Sequence, residues 1–191
     1  MKIGVLALQG DVREHARAIE GAGATAIPVK SADEIDTVDA LVVPGGESTT
    51  IGRLLDRFGL LERLRARVAS GLPLYGTCAG MILMAKEITG PHAAEHRIEV
   101  LDITVRRNAY GRQVDSFEAD VEVAGLRDPF RAVFIRAPVV ERVGPDVEVV
   151  ATHDGSPVVV QEGALLASSF HPEMTADGRL HELFVDIAKR A

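Results

Sequence analysis

"PLYGTCAGMILMA", residues 73–85, runs from a short apolar stretch through a turn of small residues into a helical pattern, and it holds the chain's only cysteine, Cys78. Gly76, Thr77, Ala79 and Gly80 line the turn. A buried strand that meets a helix across so tight a bend forms a nucleophile elbow. Small neighbours let a substrate approach the sulfur, and a helix N-terminus favours the thiolate, which is the reactive form. The backbone N–H of Ala79 would also point at an oxyanion formed there. Taken alone, Cys78 reads equally well as a small core hydrophobe.

The flanking sequence sets the elbow in an α/β pattern. "KIGVLAL" (2–8) is an almost unbroken apolar run, which predicts a strand buried on both faces. After Asp11, a good N-cap, Val12, Ala16 and Ile19 recur at helical spacing until Gly21 and Gly23. "TAIPV" (25–29) and "DALVVPGG" (39–46) read as further strands. Leu54, Leu55, Phe58, Leu61, Leu64 and Val68 then follow helical steps, with Gly59 a break between two helices. "LPLYG" predicts a fourth strand and "AGMILMAKEI" (79–88) a further helix. Strands alternating with helices indicate a parallel sheet covered on both faces.

From Ile98 the chain changes to β-branched and alternating runs, "IEVLDITV", "SFEADVEV", "RAVFI", "VEVVATH", "SPVVVQEG" and "ALLASSF". These predict antiparallel hairpins and a return to the main sheet. "GRLHELFVDIAKR" places Leu180, Leu183, Phe184 and Ile187 on one face of a closing helix that ends in Lys189 and Arg190. The expected fold class is an α/β three-layer sandwich with a central, mostly parallel sheet and added antiparallel strands in the C-terminal half.

At 191 residues the chain is expected to form one domain, 1–191, since a domain takes roughly 100–200. With 47% hydrophobic residues it can fill its own core without a cofactor or metal. A net charge of −7 and scattered arginines argue against nucleic-acid binding. A lone cysteine cannot close an internal disulfide, no signal peptide opens the sequence, and no apolar run approaches the ~20 residues of a membrane span. The cytoplasm is the expected location. His92 and His96 form the only i, i+4 histidine pair; without a HExxH acid they read as a polar surface loop.

A cysteine nucleophile needs a base, and the base needs an orienting acid. "SSFHPEM" (168–174) supplies both. Pro172 biases His171 toward an extended backbone, which would set the Glu173 carboxylate on the same side as the His171 ring. A third strand end, "VVPGGEST" (42–49), carries glycines that can turn N–H groups toward negative charge, with Ser48 or Thr49 as a helix cap. Three such sites at strand ends fit ligand binding at the carboxyl edge of an open α/β sheet.

These stretches, with "GVLALQGDVREH", "VRRNAYGRQVDSFEA" and "FIRAP", make the sequence resemble the class I, triad-type glutamine amidotransferases. Within them it is most similar to the glutaminase subunits of pyridoxal 5′-phosphate synthase. The resemblance runs nearly end to end and implies a flavodoxin-like amidotransferase fold. It implies that Cys78 attacks the carboxamide carbon of L-glutamine, with His171 as base and then acid and Glu173 orienting it. It assigns the oxyanion hole to backbone N–H groups of Gly46 and Ala79, and glutamine binding to Gly46, Glu47, Ser48, Arg107, Ile135 and Arg136. It implies no cofactor. The implied partner is a (β/α)8-barrel synthase subunit in a large hetero-oligomer, which uses the ammonia with ribose 5-phosphate and glyceraldehyde 3-phosphate. Gln9 and Gly10 are expected to couple docking of that subunit to the Gly45-Gly46 turn. The alternatives are a glutaminase subunit feeding another synthase, such as imidazole glycerol phosphate synthase, an elbow-cysteine peptidase-like protein, and a regulatory glutamine binder.

Overall fold

The structure is a computed structural model and describes residues 1–90, 95–107 and 116–191. His92, and residues 108–115 of the "VRRNAYGRQVDSFEA" stretch, lie outside the described residues. The first half runs β1 (Lys2–Leu6), α1 (Val12–Gly21), β2 (Thr25–Val29), α2 (Ala32–Ile35), β3 (Ala40–Val43), α3 (Ser48–Arg57), α4 (Leu60–Ala69) and β4 (Leu74–Thr77), as expected apart from the short α2, which the sequence reading did not include. Gly59 separates α3 from α4 with a φ of +69°, a left-handed backbone that glycine adopts without strain.

Beyond the elbow come α5 (Ala79–Met84), β5 (Ala85–Thr89), β6 (Leu101–Arg106), β7 (Ser116–Val121), β8 (Phe130–Ile135), β9 (Val139–Val143), β10 (Glu148–His153), β11 (Ser156–Glu162) and β12 (Leu165–Ser168). A 3₁₀ turn at Pro172–Met174 and the closing helix α6 (Arg179–Arg190) finish the chain. Two expectations are corrected here. The helix predicted over 79–88 ends at Met84, and its last part is β5, which pairs in parallel with β6. Every residue of α5 is buried, and an apolar run without a polar face carries no period that separates helix from strand. The strand β9 was not expected from "VVERV"; it is short and is held by antiparallel pairing with β6.

Among the described residues, seven strands form one sheet in the order β10-β11-β12-β4-β3-β1-β2. The five from β12 to β2 run parallel, while β10, β11 and β12 pair antiparallel. The C-terminal half thus returns to the main sheet by laying β12 against β4, with Ser168 opposite Thr77. Alternation splits the core into two layers. Leu41 and Val43 of β3 face α3, α4 and α5, whereas Ala40 and Val42 face the layer holding α1 and α6. Burying both faces of the central strands at roughly 25 cal/mol per Å² supplies most of the drive to fold, and it fixes the register that sets the carboxyl ends of β3, β4 and β12 side by side.

No helix among the described residues is long and apolar enough to cross a membrane.

Candidate active site

The site grows from the end of β4. Cys78 stands between β4 and α5 with φ 49° and ψ −101°, a strained conformation for a residue with a side chain. Its N–H donates to the Ser168 carbonyl at the end of β12 (2.8 Å), and its Sγ lies 3.8 Å from the Ile135 carbonyl. The elbow is tucked in rather than exposed: Cys78 is only 6% accessible.

β12 delivers His171, the base expected from the sequence, beside it. The His171 N–H donates to the Val133 carbonyl of β8 (2.9 Å), and its Nδ1 bonds Glu173 Oε1 at 2.7 Å. The expected contact is present, but the backbone that makes it is not extended. Pro172–Met174 is a 3₁₀ turn, and the turn curls the Glu173 side chain back onto the ring. Burial works against charge on His171, but hydrogen bonding with Cys78 and Glu173 outweighs it and raises the ring's pKa to about 10. Burial likewise opposes charge on Glu173, yet the His15 and His171 rings beside it, the second in a hydrogen bond, hold its carboxyl well below the usual range.

The strand end after β3 forms the opposite wall. A Cβ added to Gly45 would collide with the His171 ring, so only glycine lets the base sit where it does. Gly46 has φ +147° and leads into α3. The helix cap is Glu47 rather than Ser48 or Thr49: its carboxylate accepts from Thr49 N at 3.0 Å and from Thr50 N at 2.7 Å. Burial raises the Glu47 carboxyl less than the bonds from Thr50 and Thr49 lower it, and its pKa falls to about 2. Arg107 reaches the same carboxylate at 3.2 Å and Thr49 Oγ1 at 3.3 Å. Arg136 holds a left-handed backbone, φ 46°.

Together these elements enclose a cavity of about 460 Å³. Of the residues singled out from sequence, Gln9, Gly10, Gly46, Glu47, Ser48, Cys78, Arg107, Ile135, Arg136 and His171 line it. Glu173 sits behind His171, and Ala79 opens α5 with its side chain buried. Gln9 Oε1 accepts from Glu47 N at 3.1 Å, and Gly10 packs so closely on the Gly45 carbonyl that no side chain would fit between them. Asp11 also lines the cavity and makes no side-chain cap to α1, contrary to the expectation from its position. Asp11, His171 and Glu173 hold possible ligand atoms within 4.8 Å of one another, but His171 and Glu173 already engage each other there.

Sequence reasoning missed the second layer. His15 of α1 and His181 of α6 are fully buried behind Glu173. His15 Nε2 is 3.4 Å from Glu173 Oε2 and 3.3 Å from Thr77 Oγ1, and His15 Nδ1 is 2.9 Å from His181 Nε2. The sequence signals were a histidine at an inward position of each helix and, for His15, its place at the end of the "GVLALQGDVREH" stretch.

The whole chain, and not the site alone, has known counterparts. It is 60% identical over 190 residues to a pyridoxal 5′-phosphate synthase subunit PdxT of Acidothermus cellulolyticus, covering 96% of this chain and 92% of that protein. It is 58% identical over 193 residues to the subunit of that name from Mycobacterium tuberculosis, covering 100% of this chain and 98% of the other. A solved structure described as a glutamine amidotransferase superposes with a TM-score of 0.92 at 52% identity, over 98% of both chains. Residues 5–190 match the model of the SNO glutamine amidotransferase family. With elbow cysteine, HPE turn and glycine-rich wall all present in that fold, the chain belongs to the SNO glutamine amidotransferase family.

Proposed function

We propose that this chain, a single glutaminase domain over 1–191, is the glutaminase subunit of pyridoxal 5′-phosphate synthase. It hydrolyses L-glutamine to L-glutamate and ammonia and passes the ammonia to the synthase subunit, in the cytoplasm and without a cofactor of its own. The observation that carries the reading is the 2.7 Å His171–Glu173 bond beside Cys78 in one cavity, in a chain about 60% identical to PdxT subunits.

Cys78 Sγ attacks the carboxamide carbon while His171 holds the proton that leaves the thiol. The raised pKa of the ring keeps that proton on it, and Glu173 stabilises the imidazolium. The carboxamide oxygen becomes an oxyanion, received by the N–H groups of Gly46 and Ala79; the latter lies in the first turn of α5, where helix N–H groups have no partner within the helix. The tetrahedral species collapses as His171 returns its proton to the nitrogen, the C–N bond breaks and ammonia leaves. Water, deprotonated by His171, then cleaves the thioester to glutamate and restores the thiol. Arg107 and Arg136 are the cations at the cavity for the substrate's α-carboxylate, whose two oxygens match a guanidinium fork. Gly46, Glu47, Ser48 and Ile135 complete the glutamine site.

Hydrolysis alone would waste glutamine, so the ammonia has an acceptor. By the family resemblance this is a (β/α)8-barrel synthase subunit in a large hetero-oligomer. Gln9 and Gly10 transmit its docking to the oxyanion wall in this reading, which is supported by their contacts with the Gly45-Glu47 segment.

The test is ammonia release from glutamine by the purified chain, with and without the synthase subunit, beside Cys78→Ala. Release that needs Cys78 and rises with the synthase supports the whole reading. Release indifferent to that synthase keeps the glutaminase and moves the acceptor elsewhere, while no release in any mixture overturns the activity.

A further inference from the structure

Two buried histidines stand behind the triad with no part in the steps above. His15 and His181 are each fully shielded from solvent, although a polar ring in a core costs stability unless its nitrogens are satisfied. Their nitrogens form a chain that ends on the triad acid. An ionised carboxylate only accepts hydrogen bonds, so the His15 Nε2 facing Glu173 Oε2 carries a proton. His15 Nδ1 is then the acceptor for His181 Nε2–H, 2.9 Å away. His181 Nδ1 is left bare and buried without a partner among the described residues. Glu173 Oε2 is likewise buried without a hydrogen-bond partner among the described residues, and His15 Nε2 stands 3.4 Å from it, at ion-pair distance.

We propose that His15 is a positioning residue for the triad, and that His181 fixes the tautomer in which it works. The proposal rests on the glutaminase reading of the site. A glutamate held through one oxygen is free to turn about its terminal torsion, which is broad and shallow. A donor on the second oxygen stops that rotation and keeps Oε1 on His171. The same nitrogen reaches Thr77, the residue before Cys78, so one imidazole braces the acid and the approach to the nucleophile. Among the described residues, the titratable groups facing it include Glu173 from the 3₁₀ turn and His181 from α6, with the Tyr75 ring edge-on to His181, and Asp11 and His171 lie on the far side of Glu173 with ligand atoms within 4.8 Å of its own. Burial presses the His181 ring toward its neutral form, and His15 beside it acts in the same direction, lowering its pKa to about 3. It therefore meets His15 as a neutral ring.

The test compares wild type, His15→Phe and His15→Gln in glutamine hydrolysis by the full chain with its synthase subunit, with Cys78→Ala as the reference for lost chemistry. His15→Phe keeps the ring's bulk without the donor; kcat is expected to fall roughly ten- to a hundredfold with KM unchanged, the scale seen when an orienting partner is removed. His15→Gln, with a distal amide that can donate to Glu173 and accept from His181, is expected to recover most of that loss. The acid limb of the pH–kcat profile should move in His15→Phe and return in His15→Gln, whereas a purely structural defect would scale activity alike at every pH. A folded His15→Phe with wild-type kcat overturns the proposal. Should His15→Phe fail to fold, His15→Gln decides: folded and active supports it, folded with kcat as low as the donor's loss predicts overturns it. Absence of Cys78-dependent release in wild type would instead sink the glutaminase reading.

Discussion

The two oxygens of Glu173 face two different environments. Oε1 meets His171 at 2.7 Å on the side that opens to the cavity, and its partner lies two residues away in the chain. Oε2 faces His15 at 3.4 Å on a side closed to solvent, where the next link, His15 to His181, spans 166 residues of sequence. The open side is built from local sequence and is arranged for a reaction. The sealed side is built from helix packing and is arranged for order. Substitutions on the first side should therefore change rate far more than stability, and those on the second should change both.

The largest effect expected is from Cys78→Ala. Turnover should vanish, while the loss of one sulfur from a site at the cavity edge costs only on the order of 1 kcal/mol in stability. An activity assay paired with a thermal melt checks both, and a large drop in Tm would blur the contrast between the two sides. Gly45→Ala should come next. Its methyl group would push the His171 ring away from Cys78, and a displacement of about 1 Å can cost roughly a hundredfold in rate. Steady-state kinetics on the folded variant would show this as a fall in kcat.

A pH experiment measures the open side in the currency of stability. The His171 pKa is raised to about 10 from an unfolded value of about 6.5, so the folded chain holds that proton more tightly. The stabilisation is complete below about pH 6.5 and is lost as pH rises through about 10. The Tm difference between wild type and His171→Asn should accordingly shrink across that window; a difference constant with pH would show that the ring's charge does not matter to the fold. The smallest effect is expected from Gln9→Ala. Losing its bond to Glu47 N removes about 1 kcal/mol, so stimulation by the synthase should fall on the order of fivefold. Undiminished stimulation would remove Gln9 from the coupling.

The open side was legible because each of its parts carries a local signal. Cys78 among small residues, His171-Pro172-Glu173 and Gly45-Gly46 each follow an apolar strand, and strand ends in such sheets gather at one edge. Details of backbone were read less well. Residues 85–88 were placed in a helix because Ala85, Lys86 and Glu87 are good helix formers that continue the buried run of α5, and pairing with β6 overrides that propensity. The Glu173 contact was expected from an extended chain and arises from a 3₁₀ turn. The cap of α3 went to Glu47, whose longer side chain bends back to Thr49 and Thr50, although Ser48 and Thr49 are the commoner cap types. The sealed side was out of reach, since the meeting of His15 with His181 depends on how α1 packs against α6. The "GVLALQGDVREH" stretch singles out His15, but no local pattern records that it meets His181.

The insertion of β12 beside β4 bears on how the molecule comes to life during synthesis. β4 and its cysteine are made well before the neighbour that covers β4 on that side and the histidine and glutamate that follow it, which precede only the closing helix α6 in the elements described. Until residues 165–173 emerge, β4 is a bare sheet edge and its sulfur has neither base nor acid beside it. In the proposed mechanism a growing chain therefore carries a disarmed nucleophile, and one late strand-pairing event would both complete this part of the sheet and bring base and acid to it.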